Sequence, residues 1–258
     1  MSSDLVIKVK NLYKAMNGTP VLKGLNLGIR QGEKLCIVGS SGCGKSVLVR
    51  HFNGLEQPDS GNVLVFDQDL APYEDQNLNA VRQSIGYVFQ DGALFSSMTV
   101  GENLAFFLTE SIRSIPATEV ERRVARAMDY VGLGPTNIDL GFDYHAFLRK
   151  MPPELSGGQK KRVAVARELV LDLPIMIYDE PTTGLDPENV GIITNAILQL
   201  HSRGNNTAIV ITHAQKTMEM IGDRIIMLKD GTVFFDGPYL SFVKSSQPEI
   251  QRYLHNSL

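Results

Sequence analysis

The 258-residue sequence contains no tryptophan and only two cysteines, Cys36 and Cys43. The two thiols lie close together, in a strand and the loop after it, where a disulfide would staple nothing. Both are therefore expected to be free, and neither suggests a metal centre. No apolar run approaches the roughly 20 residues that cross a bilayer, so any work at a membrane requires docking onto another protein. The start, MSSDLVIKVKNLYK, lacks a basic opening, an apolar stretch and a small-residue cleavage site, which argues against secretion and for a cytosolic location. There is no block of like charge, and the formal net charge is −3. Nucleic acid is thereby disfavoured as the main partner, since phosphate-backbone binding needs a basic surface. The one basic cluster, Lys160-Lys161-Arg162, is expected to form a solvated helix face. No internal repeat, low-complexity segment or flexible linker divides the chain, so one domain with a smaller insert is expected.

What is present is an ordinary globular composition, 43% hydrophobic and 21% charged. Apolar segments bounded by Gly, Pro or Asp read as strands at 5–9, 35–38, 63–66, 85–89, 175–178, 208–211, 225–228 and 233–235. Several, such as LCIV, IMIY and AIVI, are apolar at every position, as in a mainly parallel sheet covered by helices on both faces. Stretches of helical period lie between them: Val120, Val124, Met128 and Val131 share one face, and so do Ile250, Tyr253 and Leu254. The pattern predicts a doubly wound α/β core. Residues 92–153 look different, helical in pattern without a convincing strand, and are read as a helical subdomain inserted between core segments 1–91 and 154–245. A C-terminal helix is expected over 246–258.

After the strand LCIV comes Gly39-Ser40-Ser41-Gly42-Cys43-Gly44-Lys45-Ser46, followed by the helical VLVRHFNGL. This is the G-x-x-x-x-G-K-S phosphate loop in its strand–loop–helix setting. Glycines let the backbone turn tightly enough for several N–H groups to face one phosphate, and the helix N-terminus adds partial positive charge. Lys45 would reach the β- and γ-phosphates of ATP, and the Ser46 hydroxyl would bind Mg²⁺. Downstream, PIMIYDE is a buried strand ending in two carboxylates at the sheet edge where open α/β folds bind ligands. Asp179 is placed to hold the Mg²⁺ shell, and Glu180 to orient or deprotonate the water attacking the γ-phosphate.

A third element, Leu155-Ser156-Gly157-Gly158-Gln159, opens the helical run KKRVAVARELV shortly before that strand. It has the chemistry of a second anion-binding helix start: a serine hydroxyl, and glycines that let backbone N–H groups approach a phosphate. With it the sequence resembles the ABC ATPase superfamily over nearly its whole length. The resemblance implies a phosphate-loop (RecA-like) α/β core with an N-terminal antiparallel β region. It also implies a dimer in which Ser156, Gly157, Gly158 and Gln159 of one copy cap the ATP on the phosphate loop of the other. By the same resemblance Gln90 is the Q-loop glutamine that touches Mg²⁺ and the attacking water, His213 is the switch histidine, and Asp186 is the D-loop aspartate. The adenine-stacking position falls on Met16, with Tyr13 nearby expected to be core.

The Q-loop leads into DGALFSSMTVGENL, whose Leu94, Phe95 and Met98 lie where family members receive a short helix from a transmembrane subunit. Together with the ending FVKSSQPEIQRYL, this resembles the MlaF-type ATPases of Mce-linked phospholipid transporters, although 134–152 is longer than in that family. The implied partners are an MlaE-like permease and an Mce-domain protein, with the ATPase peripheral on the cytoplasmic face of the inner membrane. Two alternatives remain open: the ATPase of a polar-solute importer, and a soluble ABC ATPase without a membrane partner.

Overall fold

Alternation along the strands decides which side of the sheet each residue serves. In a computed structural model describing residues 4–112, 114–136, 142–201 and 206–256, β1 (Leu5–Met16), β2 (Thr19–Arg30), β3 (Lys34–Val38), β4 (Ser60–Val65) and β5 (Gln68–Asp69) come first in sequence. They are followed by β6 (Ile85–Val88), β7 (Ile175–Asp179), β8 (Thr207–Ile211), β9 (Arg224–Lys229) and β10 (Thr232–Gly237). They form a four-stranded antiparallel sheet, β2-β1-β4-β5, and a six-stranded sheet, β10-β9-β3-β8-β7-β6. Strands β9, β3, β8, β7 and β6 run parallel, and β10 pairs antiparallel at the edge.

Odd-numbered residues Leu35, Ile37, Tyr87, Ile175, Ile177, Ile209 and Ile211 pack towards the antiparallel sheet, with Leu48, Val49 and Phe52 of α1 (Lys45–Phe52) and Leu78 and Val81 of α2 (Asp75–Arg82). Their neighbours Cys36, Val38, Val88, Met176, Tyr178, Ala208 and Val210 face the other way. That second layer is built from α3 (Val100–Ser111), α4 (Ala117–Tyr130), α5 (Tyr144–Leu148), a short 3₁₀ turn at Pro152–Glu154, and α6 (Gly157–Leu169). It continues with α7 (Pro187–His201), α8 (Gln215–Ile221), α9 (Tyr239–Val243) and α10 (Pro248–Asn256). A strand buried on both faces must be apolar at both parities, which is why LCIV, IMIY and AIVI show no polar alternation.

The segment 92–153 carries α3, α4 and α5 and, among its described residues, no strand. Part of the longer stretch 134–152, residues 137–141, lies outside the described residues.

Three expectations are corrected. TPVLKGLNLGIR, not singled out as a strand, is β2, and its two glycines make room for neighbours: a Cβ at Gly24 would stand 2.8 Å from the Tyr13 hydroxyl, and one at Gly28 3.0 Å from Leu5. Tyr13, expected in the core, is 43% exposed, because its ring lies across Gly24 on the outer face of the antiparallel sheet. The basic cluster is not a uniformly solvated face: Lys160 is exposed, whereas Lys161 donates to the Thr183 carbonyl and Arg162 Nη1 to the Val131 carbonyl at 3.3 Å.

Candidate nucleotide site

At the end of β3 the chain turns through Gly39, whose φ of 141° favours glycine and whose Cβ, if present, would lie 2.4 Å from the Leu228 carbonyl. Gly42 (φ 77°) has open space where a Cβ would be, and Gly44 (φ 104°) is the residue before α1. The loop therefore presents bare backbone at the N-terminus of a buried helix, as an anion cradle requires. The buried Lys45 ammonium donates to the carbonyls of Gly39 (2.9 Å) and Ser40 (3.0 Å), which aim it across the loop.

A cleft of about 300 Å³ opens over this loop and brings Lys45 and Ser46 together with Gln90, Glu180 and Val21. Ser46 Oγ donates to Asp179 Oδ1 at 3.0 Å, closing the 133-residue gap between the two motifs. The other oxygen, Oδ2, accepts from the Tyr87 hydroxyl at 2.9 Å. Burial first, and the Asp179 charge second, push the Tyr87 phenol far above its ordinary range, so it remains a donor. A hydroxyl and a carboxylate side by side are hard oxygen donors of the kind Mg²⁺ takes. Among the described residues no group of three or more His, Cys, Asp or Glu is arranged to hold a metal alone. The pair thus suits an ion whose remaining ligands are phosphate oxygens and water.

Glu180 follows β7 with φ 51°, a left-handed conformation that is costly for a residue with a Cβ. The turn is held by Glu180 N–H donating to the Ile211 carbonyl at 3.0 Å. It swings the carboxylate out of the strand: Oε1 lies 3.0 Å from His213 Nε2, and Oε2 accepts from Thr183 Oγ1 at 3.0 Å. His213 reaches it from the end of β8. The histidine ring lies 6.3 Å, centroid to centroid, from Tyr253 of α10, whose hydroxyl donates to the Thr212 carbonyl at 3.3 Å. Cys43 is a half-buried thiol whose pKa burial raises, so it stays protonated within the loop.

The signature residues form a second assembly. Ser156 caps α6: its Oγ accepts from Gln159 N–H at 3.2 Å, while Gln159 Oε1 accepts from Ser156 N–H at 3.0 Å. The serine proton is left free to donate outwards. Ser156 and Gly157 are exposed, and a Cβ at Gly157 would meet nothing within 4 Å. Asp186 accepts from the Asn189 backbone N–H at 3.0 Å and from Asn189 Nδ2 at 2.6 Å, bonds that lower its pKa. The same Asn189 side chain backs Gly158, where an added Cβ would be 3.2 Å from Nδ2.

The expected residues thus fall into two groups. Ser41, Gly42, Gly44, Lys45, Ser46 and Gln90 line the cleft with Glu180, while Asp179 and His213 are hydrogen-bonded to it. Gly39, Ser40 and Cys43 belong to the loop without lining the cleft; Ser156, Gly157, Gly158, Gln159 and Asp186 do not line it, and neither does Met16, which is 36% exposed at the end of β1. Sequence reading missed Val21, Tyr87 and Thr183. Only tertiary placement brings them to the site, and for Tyr87 it is the β6–β7 register that does so.

Beside the cleft, Arg167 of α6 donates to the Ala93 carbonyl at 2.7 Å and the Gly92 carbonyl at 3.4 Å, and its guanidinium lies 5.8 and 5.6 Å from the Phe95 and Phe107 ring centroids. It also pairs with the buried Glu168 at 3.1 Å, whose pKa burial raises against the pull of Arg167. Asn103, fully buried, accepts from Phe95 N–H and donates to the carbonyls of Phe95, Met98 and Thr99. These bonds fix the GALFSSM segment, whose Gly92, Ala93, Leu94 and Ser96 line a depression of about 350 Å³, while Arg167 reaches from a separate groove of about 580 Å³ that it lines with Phe89, Phe107 and Ile112.

Comparison with known proteins accords with this geometry. Residues 22–183 match the family model described as ABC transporter. The chain is 34% identical to the methionine import ATP-binding protein MetN of Mesorhizobium japonicum over 98% of its own length and 66% of that protein's, so it spans just under two thirds of that relative. It is 36% identical to the energy-coupling factor transporter ATP-binding protein EcfA of Methanothermobacter thermautotrophicus (94% of this chain, 74% of that one). It is 32% identical to the chloroplastic protein TRIGALACTOSYLDIACYLGLYCEROL 3 of Arabidopsis thaliana (99% and 75%). Among solved structures, a dimeric ATP-binding cassette, MJ0796, in a post-hydrolysis state with ADP and Pi, superposes with a TM-score of 0.80 at 31% identity (90% and 98%). Cassette cbiO1 of Clostridium perfringens, part of the transporter complex cbiONQ, gives 0.79 at 32% (99% and 96%). The chain belongs to the ABC transporter family, as one of its magnesium- and ATP-dependent ATPase cassettes.

Proposed function

We propose that this chain is the ATP-hydrolysing subunit of an ABC transporter that moves phospholipid or a related lipid. In this reading two copies close over two ATP molecules, each held by Lys45 and Ser46 of one copy and by the 156–159 helix start of the other. Lys45 would neutralise phosphate charge, Ser46 and Asp179 would hold the magnesium shell, and Gln90, in the cleft lining, would meet the ion and the attacking water. Glu180 accepts the proton of the attacking water, with His213 holding the carboxylate in place and answering to the γ-phosphate. Magnesium, when bound, offsets phosphate charge and aligns the phosphate oxygens. Loss of the γ-phosphate removes the bridge between the two copies, and they part. Among the described residues no helix is long and apolar enough to cross a membrane. In this reading the motion is delivered to permease subunits from the cytoplasmic face.

The observation that carries the lipid reading is the segment 92–98, whose backbone Arg167 and Asn103 pin and whose Gly92, Ala93, Leu94 and Ser96 line a depression of about 350 Å³ with Pro152, Pro153 and Lys160. It presents the GALF element of lipid-linked cassettes to a docking helix, and one relative over nearly the whole chain bears the name of a galactolipid. The partners in this reading are an MlaE-like permease and an Mce-domain protein. Purification with them in mild detergent, followed by reconstitution into phospholipid discs, tests it: ATP hydrolysis should rise with phospholipid and be indifferent to methionine. Because methionine importers are also relatives, stimulation by methionine with its binding protein, and none by lipid, would replace the lipid assignment with import of a polar solute.

A further inference from the structure

Both oxygens of Asp179 are spoken for. Oδ1 accepts from Ser46, inside the phosphate loop, and Oδ2 accepts from Tyr87 at 2.9 Å. Tyr87 belongs to no motif; it stands three residues before Gln90 on β6. Pairing of Tyr87 with Ile177 across the parallel β6–β7 ladder puts Asp179 one diagonal step further along the same face, within reach of a long side chain. Tyr87 is 5% and Asp179 3% exposed, so the bond is shielded from water, where a hydrogen bond to a charged acceptor is at its strongest. The rest of that face is filled by Ile85, Ile175 and Ile177, against which a phenylalanine would pack as well as a tyrosine. The hydroxyl is therefore what the packing does not require; it donates to the carboxylate, with the Arg50 guanidinium as a second partner on the phenol oxygen.

We propose that Tyr87 is a positioning residue of the magnesium site: its phenol locks the rotamer of Asp179 so that Oδ1 stays turned towards Ser46 and the metal shell. An outer partner of this kind sets how a ligand oxygen is presented without touching the ion. The inference rests on the assignment of Ser46 and Asp179 to magnesium and is independent of the transported cargo.

The test is equilibrium binding of a fluorescent ATP analogue, mant-ATP, to the full chain carrying Glu180→Gln, so that nucleotide is not consumed. Titrations in excess magnesium and in EDTA give a ratio of dissociation constants that measures how much the metal contributes. Tyr87→Phe in that background should reduce the ratio roughly tenfold, leave the EDTA value unchanged, and lower the melting temperature in EDTA by only the few degrees that loss of one buried hydrogen bond costs. An unchanged or increased ratio would overturn the proposal, as would equal weakening with and without the metal, which marks a general packing defect. Ser46→Ala separates the two levels of the inference. If it abolishes the magnesium dependence while Tyr87→Phe does not, only the role of Tyr87 falls; if neither does, the metal assignment falls with it.

Discussion

Glu180 carries its carboxylate at a backbone angle that a residue with a Cβ rarely adopts, and it is gripped from both sides by His213 and Thr183. Such a side chain is placed for its chemistry, since the strand alone would have continued extended. Glu180→Gln keeps the size and one acceptor but removes the base. Turnover is expected to fall by at least about a hundredfold with nucleotide affinity retained, read by phosphate release and by mant-ATP binding. Lys45→Ala should instead weaken the binding itself, because the ammonium that meets the phosphates is gone; an unchanged affinity would contradict the role given to the loop. The motif residues were legible in sequence because their chemistry demands fixed spacing. Val21, Thr183 and Tyr87 were not, since nothing local marks a valine or tyrosine as lying against a cleft formed by distant strands.

The helix that begins at Gly157 shows what one element can combine. Its cap is reciprocal, Ser156 and Gln159 each satisfying the other's backbone, and its far end carries the Arg167–Glu168 pair beneath the GALF segment. Ser156→Ala removes the cap and is expected to cost about 1 kcal/mol, a drop of roughly 2–4 °C in melting temperature for a chain of this size. The accompanying loss of ATPase activity should far exceed that stability cost, and a proportionate loss would mean that the serine only caps. At this scale the sequence was readable where period and punctuation agreed, as in α4, α6 and the buried strands. It was unreadable in β2, where Gly24, Gly28 and Pro20 look like loop residues. The two glycines are there because Tyr13 and Leu5 occupy the space their side chains would need.

For the molecule as a whole, the two groups of site residues predict nucleotide-dependent association. The Glu180→Gln chain should sediment as a monomer in EDTA and as a dimer with ATP and magnesium; a monomer under both conditions, with its permease also present, would remove the sandwich arrangement. The folded state should also weaken in mild acid. His51 and His201 are buried, and burial lowers the pKa of both. The unfolded chain therefore takes up these protons before the folded one does, and stability falls as pH drops below about 6.5. Urea midpoints at pH 7.5 and 5.5 check this above the ordinary carboxylate range, with Glu168, whose pKa burial raises, acting in the opposite sense. The overall architecture was legible because doubly apolar strands admit few arrangements, whereas the exposure of Tyr13 depended on how the second sheet is laid over the first.

Asn189 holds Asp186 by two hydrogen bonds and packs its amide against Gly158, and this has a bearing on how the chain is repaired as well as how it runs. The outward surface offered to a twin is then one continuous packed face, so a bulkier residue at the glycine tip would push on the turn at 186–189. Damage to either should leave the same imprint on assembly, and second-site revertants of a crippled helix start are to be sought first among the four residues of that turn.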